Sequence, residues 1–142
     1  MKALLLIYVY LACTGLSKAA MTEAQYKAGA KLIRKTCISK SKVDAGKVEA
    51  LRKGEWPEEK ALMCYLYCVL ASYKVVTPEN TLDVENGVKA LNAQAPESIR
   101  DAAIISTKNC KDSAKTTSDK CKAAYEISSC VYNDNPANYF LP

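Results

Sequence analysis

Apolar side chains recur every three or four residues through most of this 142-residue chain. That spacing places them on one face of an α-helix, whereas a half-buried strand would alternate apolar and polar residues. Few β-branched alternations occur, so the pattern predicts an all-α domain of six short helices. We predict the helices at about 23–37, 45–53 and 58–73, then one over Val84, Val88 and Leu91, one beginning at Pro96–Glu97 and one beginning at Ser118–Asp119.

The third predicted helix is apolar on two opposite sides. Leu62, Leu66 and Leu70 share one side, and Cys64 and Cys68 lie on the other. A helix that is apolar all round is buried, so we expect this one in the middle of the domain. Helices of about ten residues are marginal alone, and we therefore expect covalent cross-links to contribute to stability.

The N-terminal end has the layout of a secretory signal peptide. A basic Met1-Lys2 precedes the apolar run 3–12, and small residues follow, with Ser17 and Ala19 at the −3 and −1 positions of a cleavage site. The alternative is a membrane anchor, but a span needs about 20 apolar residues. We predict a signal peptide at residues 1–19, a mature domain at residues 20–142, and a secreted, extracellular protein.

Removing the signal peptide also removes Cys13 and changes seven cysteines into six. An even count in a secreted chain is typical of a disulfide framework. Six cysteines allow fifteen pairings. Cys64 and Cys68 project side by side from one helix, so each reaches a different neighbour more naturally, and Cys121 and Cys130 are about 13 Å apart along a helix, too far for a bond.

The composition narrows the chemistry. The chain has no histidine, which excludes Ser-His-Asp and Cys-His nucleophiles and histidine-containing zinc sites. A thiolate-only metal cluster would need more closely spaced cysteine pairs. The net charge of +5 is spread along the chain, without the basic and aromatic pattern of a nucleic-acid module. We predict no enzymatic activity, no cofactor, no metal and no nucleic-acid partner.

The six cysteines are separated by 26, 3, 41, 10 and 8 residues, a spacing similar to that of the six-cysteine insect odorant-binding proteins, the pheromone and general-odorant-binding family. The intervals of three and eight are its most characteristic parts. Segments 64–68 and 121–126 also resemble that family, as do the signal-peptide pattern, the helix count and the mature length. The resemblance extends over essentially the whole mature chain.

This resemblance implies a soluble carrier of odorants or pheromones, with six short helices held by three disulfides around an apolar ligand cavity. It implies a small hydrophobic volatile ligand and, as further partners, a membrane chemoreceptor and a second copy in a weak homodimer. Whether chains associate stays open. The disulfides that it implies are Cys37–Cys68, Cys64–Cys121 and Cys110–Cys130.

Candidate ligand contacts lie on the apolar faces of three predicted helices and on the C-terminal tail. Tyr125 and Ile127 match positions near the pocket in the family that the chain resembles, and in that family the C-terminal segment often covers the pocket mouth. The alternatives are ordinary core packing for the helical residues and a frayed end for the tail. The candidates are Leu62, Leu66, Leu70, Tyr73, Val84, Val88, Leu91, Tyr125, Ile127, Phe140 and Leu141.

A second class of function shares some of these features. Saposin-like or antimicrobial proteins that act at lipid surfaces are also helical, positively charged and rich in cysteine. They begin and end with close cysteine pairs within about eighty residues, unlike this chain. Leakage of lipid vesicles would distinguish such a protein from a carrier.

Overall fold

A computed structural model describes residues 21–142, and the predicted signal peptide at residues 1–19 lies outside the described residues. The described part is helical, which confirms the predicted all-α class. None of its helices is long and apolar enough to cross a membrane. They are α1 (Glu23–Ser41), α2 (Ala45–Leu51), α3 (Lys60–Ser72), α4 (Val84–Gln94), α5 (Glu97–Asn109), α6 (Lys120–Asp134) and a short 3-10 helix (Pro136–Asn138).

Four of the six α-helices begin with a side chain that caps the helix N-terminus. Thr22 and Gln25 form the capping box of α1, and Asp44 caps α2 by accepting a hydrogen bond of 2.8 Å from the Gly46 amide. These side chains satisfy amides that have no partner inside the helix. Asp83 caps α4 in the same way, through the amide of Asn86.

The third helix begins two residues later than the predicted position of about 58. Helix α3 begins at Lys60, and Glu59 precedes it in an extended conformation. The acidic residues of this segment form ion pairs with distant lysines rather than a first helical turn. Glu58 pairs with Lys122 at 2.6 Å, and Glu59 pairs with Lys47.

Helix α3 lies in the centre of the domain, as its two apolar sides predict. It packs against α1 and α6, while α4 packs against α5. Its side chains Tyr65, Leu66 and Val69 are completely buried, together with Leu51 of α2 and Ile127 of α6. Burying apolar surface in this way supplies most of the free energy of folding.

Three disulfides connect the helices. Their Cα–Cα distances are 5.5, 4.5 and 5.8 Å in chain order, within the usual range. The two cysteines of α3 reach opposite neighbours, α1 and α6, and the third bond joins the end of α5 to α6. The bonded pairs are Cys37–Cys68, Cys64–Cys121 and Cys110–Cys130, the same pairs that the family resemblance implies.

Candidate ligand-binding site

A largely apolar cavity lies between the end of α3, one face of α4, part of α5 and α6, and the C-terminal tail. The cavity volume is about 60 Å³, well above the 10–15 Å³ that a single buried water needs. Apolar cavities of this kind stay dry and accept apolar molecules. Its walls are formed by Tyr26, Leu70, Tyr73, Val75, Leu82, Gly87, Ala90, Leu91, Gln94, Ala95, Thr107, Ile127, Val131, Phe140 and Leu141.

Two of the polar side chains on the wall form hydrogen bonds within the protein. The Thr107 hydroxyl donates to the Ala103 carbonyl at 2.8 Å. The Tyr26 hydroxyl donates to the Phe140 carbonyl at 3.0 Å. A ligand in this cavity would therefore gain free energy mainly from burial of apolar surface.

Helices α4 and α5 approach each other closely at one side of the cavity because α4 has a glycine there. A Cβ at Gly87 would lie 3.1 Å from Cγ2 of Thr107 and 3.9 Å from Cγ1 of Val75. The first distance is tighter than ordinary van der Waals contact, so even alanine here would require the Thr107 side chain to shift by a few tenths of an ångström. Gly87 thus fixes the shape of this wall.

The C-terminal tail closes another side of the cavity. Its residues Leu141 and Pro142 are buried, and Phe140 and Leu141 line the cavity. Three side chains from other parts of the chain donate hydrogen bonds to its backbone: Tyr26 to the Phe140 carbonyl at 3.0 Å, Arg52 to the Leu141 carbonyl at 3.0 Å and Tyr65 to the Pro142 oxygen at 2.6 Å.

An aromatic cluster also holds the tail. The ring of Tyr139 lies edge-on to Trp56 with centroids 6.0 Å apart, and Tyr132 lies 5.4 Å from both rings. Such edge-to-face pairs add to the gain from burial. The Arg52 guanidinium lies 5.9 Å from the Tyr139 ring, within cation–π range. The tail is therefore packed against the domain along its side chains and its backbone.

The structure brings together six of the predicted contact residues. Leu70 and Tyr73 come from α3 and the turn after it, Leu91 from α4 and Ile127 from α6. Phe140 and Leu141 of the tail complete the set. Binding itself stays a prediction for all of them.

The other five predicted residues do not line this cavity. Leu62 and Leu66 are fully buried in the core, two turns and one turn before Leu70 on α3, respectively. The Tyr125 hydroxyl donates to the Trp56 carbonyl at 2.6 Å. Val84 and Val88 lie roughly 70° and 110° around α4 from the centre of the cavity face, which carries Gly87, Ala90, Leu91 and Gln94.

Helical periodicity did not predict several residues of the wall. Val75 and Leu82 lie in the connection between α3 and α4, where the Asp83 amide donates to the Val75 carbonyl at 2.9 Å and Val76 pairs with Leu82 in an isolated β-bridge. The apolar residues of this connection are the only feature of the sequence that could have indicated its place in the cavity wall. Tyr26 lies within the first predicted helix, but nothing in the sequence connects it to the tail.

Ligand affinity should be constant from pH 7.5 to about 5.5, because no histidine is present.

The stability of the fold should also be constant in that range. Hydrogen bonds from Ser106 and Asn109 lower the pKa of Asp134, so the stability that this carboxylate contributes is lost only as the pH falls below about 4. Burial raises the pKa of Tyr65 to about 12. Its hydrogen bond to Pro142 is present below pH 10, and stability is lost as the pH rises through that pKa.

A titration of the affinity for an apolar dye between pH 5 and 11 checks this expectation. Loss of affinity should begin only above about pH 10, where tyrosines in the unfolded chain ionise. A transition centred near pH 6.5 would contradict it.

The sequence model of the PBP/GOBP family matches residues 19–134 of the chain. General odorant-binding protein 72 of Anopheles gambiae is 26% identical over 120 residues, which cover 84% of this chain and 98% of that protein. General odorant-binding protein 19a of Drosophila melanogaster is 28% identical over 83% of this chain and 82% of that protein.

The fold is also similar to that of a solved odorant-binding protein structure. The crystal structure of odorant binding protein 4 from Chrysopa pallens superimposes with a TM-score of 0.79 at 33% identity, covering 86% of this chain and 99% of that one. The chain therefore belongs to the PBP/GOBP family of odorant-binding proteins.

Proposed function

We propose that this protein is a secreted, non-catalytic carrier that binds small hydrophobic odorants or pheromones in the cavity and transports them through aqueous fluid. The observation that supports this most directly is the apolar cavity between cross-linked helices and the packed tail. Odorant-binding relatives support the same role. Delivery to a membrane chemoreceptor, association into a weak homodimer, and cleavage after residue 19 stay predictions.

The physical basis is burial of apolar surface without chemistry. Transfer of apolar area from water contributes about 25 cal/mol per Å², and a ligand of about ten to fifteen heavy atoms then reaches micromolar affinity after the cost of binding is subtracted. The disulfides keep the walls in place when the cavity is empty. A ligand of this size is larger than the cavity volume of about 60 Å³, so the walls without a disulfide, such as α4, have to move outward as it binds.

A cavity-filling substitution tests the assignment of the site. Ala90 of α4 lines the cavity, and Ala93 of the same helix is exposed and does not. Ala90→Phe is expected to weaken binding of an environment-sensitive apolar dye by at least about tenfold, because the ring occupies the space that the ligand needs. Titration of dye fluorescence at pH 7.4 measures the affinity and the stoichiometry, which we expect to be one site per chain.

Ala93→Phe is the matched control, since it adds the same ring to the same helix outside the cavity. We expect its dye affinity to equal that of the unmodified protein, and both variants to keep the far-ultraviolet circular dichroism of the parent. Equal dye affinity for all three proteins would contradict the site. Leakage of anionic vesicles without displacement of the dye by volatile ligands would instead support a lipid-surface protein.

A further inference from the structure

An open groove on the surface of the protein is lined by cysteines of two disulfides. It lies between the C-terminal end of α1, α3 and the beginning of α6, and its volume is about 590 Å³. We call it the disulfide groove. Its walls include Cys64, Cys68 and Cys121, and it shares no wall residue with the apolar cavity.

Each disulfide of the groove has one cysteine that solvent reaches more easily than its partner. Cys64 and Cys68, both of α3, are half-buried, whereas their partners Cys121 and Cys37 are 4% and 0% exposed. A thiolate breaks a disulfide by attacking one sulfur and releasing the other. In this groove the accessible target is therefore the cysteine of α3, and the buried partner is the leaving group.

The walls of the disulfide groove are cationic. Lys40 and Lys120 are exposed and line the groove, and neither forms an ion pair within residues 21–142. The Lys120 ammonium lies 4.9 Å from the ring centre of Tyr67, another wall residue. Among the described residues, no carboxylate side chain lines the groove. An anionic thiol is therefore attracted to it at low salt.

The beginning of α6 favours the release of Cys121 as a thiolate. Cys121 is the second residue of α6, where the positive end of the helix dipole stabilises negative charge. The two carboxylates beside this helix start, Asp119 and Glu58, are each paired with a lysine. Lys120 adds a cation without such a partner. A leaving thiolate is released faster when it is more stable.

The other two disulfides lack this combination. The leaving group for attack at Cys68 is Cys37, which lies inside α1 and not at a helix start. In the third disulfide the buried cysteine is Cys110, the C-cap of α5. There the negative end of the helix dipole disfavours a thiolate. The Cys64–Cys121 bond is therefore the one that a thiol should open first.

We propose that Cys64–Cys121 is a redox-labile bond and that the disulfide groove is where an anionic thiol such as glutathione modifies the protein. The glutathione thiolate attacks Sγ of Cys64 and forms a new S–S bond. The old bond breaks, and its electron pair stays on Sγ of Cys121. The products are a mixed disulfide at Cys64 and a thiolate at Cys121, and attack by that thiolate on the mixed disulfide reverses the step. Opening the bond separates α3 from α6, two helices that form walls of the apolar cavity.

Mapping the cysteines after brief exposure to glutathione tests the order of opening. The oxidised protein is incubated with glutathione at pH 7.4 in 20 mM sodium chloride, trapped with N-ethylmaleimide, and digested for mass spectrometry. We expect glutathione on Cys64 and maleimide on Cys121 as the first products. This bond should open at least about fivefold faster than Cys110–Cys130. In urea the three bonds should open at similar rates, because the groove and the helix ends are then lost.

A charge variant tests the role of the groove. Lys120→Gln is expected to slow the opening of Cys64–Cys121 by glutathione about threefold at 20 mM sodium chloride, and by less at 300 mM. The effect on cysteamine, a cationic thiol, should be smaller. Comparing variant with parent for the same thiol cancels the intrinsic reactivity of that thiol. Lys89→Gln is the matched control, because Lys89 is an exposed lysine of α4 outside the groove, and it should leave both rates unchanged.

Three outcomes would overturn the inference. The first is opening of Cys37–Cys68 or Cys110–Cys130 before Cys64–Cys121. The second is the same order of opening in urea, which would show that the fold does not set it. The third is equal slowing by the two lysine variants, which would mean that net charge and not the groove controls the rate. These measurements need no bound odorant, so they do not depend on the carrier function.

Discussion

Replacing Cys64 and Cys121 together with alanine is expected to lower the free energy of unfolding by about 4 kcal/mol. The bond joins residues 57 apart in sequence, and a cross-link across a longer loop removes more conformational freedom from the unfolded chain. It also joins α3, the central helix, to α6. Because small domains are stable by only about 5–15 kcal/mol, this is a large part of the total. Urea unfolding at 25 °C, followed by circular dichroism, measures the change.

The Cys110–Cys130 bond provides the matched comparison. It joins residues only 20 apart, so its replacement by two alanines should cost about 3 kcal/mol on the same reasoning. The prediction is that replacing the Cys64–Cys121 pair lowers the free energy of unfolding more than replacing the Cys110–Cys130 pair. A loss below about 1 kcal/mol for the Cys64–Cys121 pair would contradict the importance of loop closure here.

The helices were predictable because their signals are local. The capping box at Thr22, the caps at Asp44 and Asp83, and the two apolar sides of α3 all depend on residues within one or two turns. The start of α3 was predicted two residues too early, and Glu59, expected inside the helix, instead precedes it and pairs with Lys47 of another helix. That interaction depends on the folded arrangement, which helical spacing does not contain.

The candidate site was predictable only in part for the same reason. Periodicity identifies an apolar face, but it does not distinguish the part of that face that lies against a cavity from the part that lies against core. Leu66 and Leu70 share a face of α3, yet only Leu70 lines the cavity. Val75 and Leu82 belong to a connection that has no helical period. Tyr26 of α1 lines the cavity beside the tail and donates a hydrogen bond to Phe140, over one hundred residues away.

Truncation after Asn138 is expected to weaken binding of a neutral ligand such as dodecan-1-ol by at least about tenfold. The deletion removes Phe140 and Leu141 from the cavity wall, together with the hydrogen bonds that hold the tail. It exposes the cavity to water, so a bound ligand stays partly hydrated and gains less from burial. Dye displacement at pH 7.4 measures the affinity.

The single tryptophan reports whether the tail has left its site. Trp56 packs against Tyr139, so truncation should shift its fluorescence emission to longer wavelength as water reaches the ring. Tyr65→Phe is the conservative counterpart, because it keeps the ring and removes one hydrogen bond of 2.6 Å to the tail. Losing that bond should cost about 1–3 kcal/mol in tail docking and give a smaller loss of affinity than truncation. Unchanged affinity in the truncated protein, despite a shifted Trp56 emission, would show that the tail packs against the domain without acting as a lid.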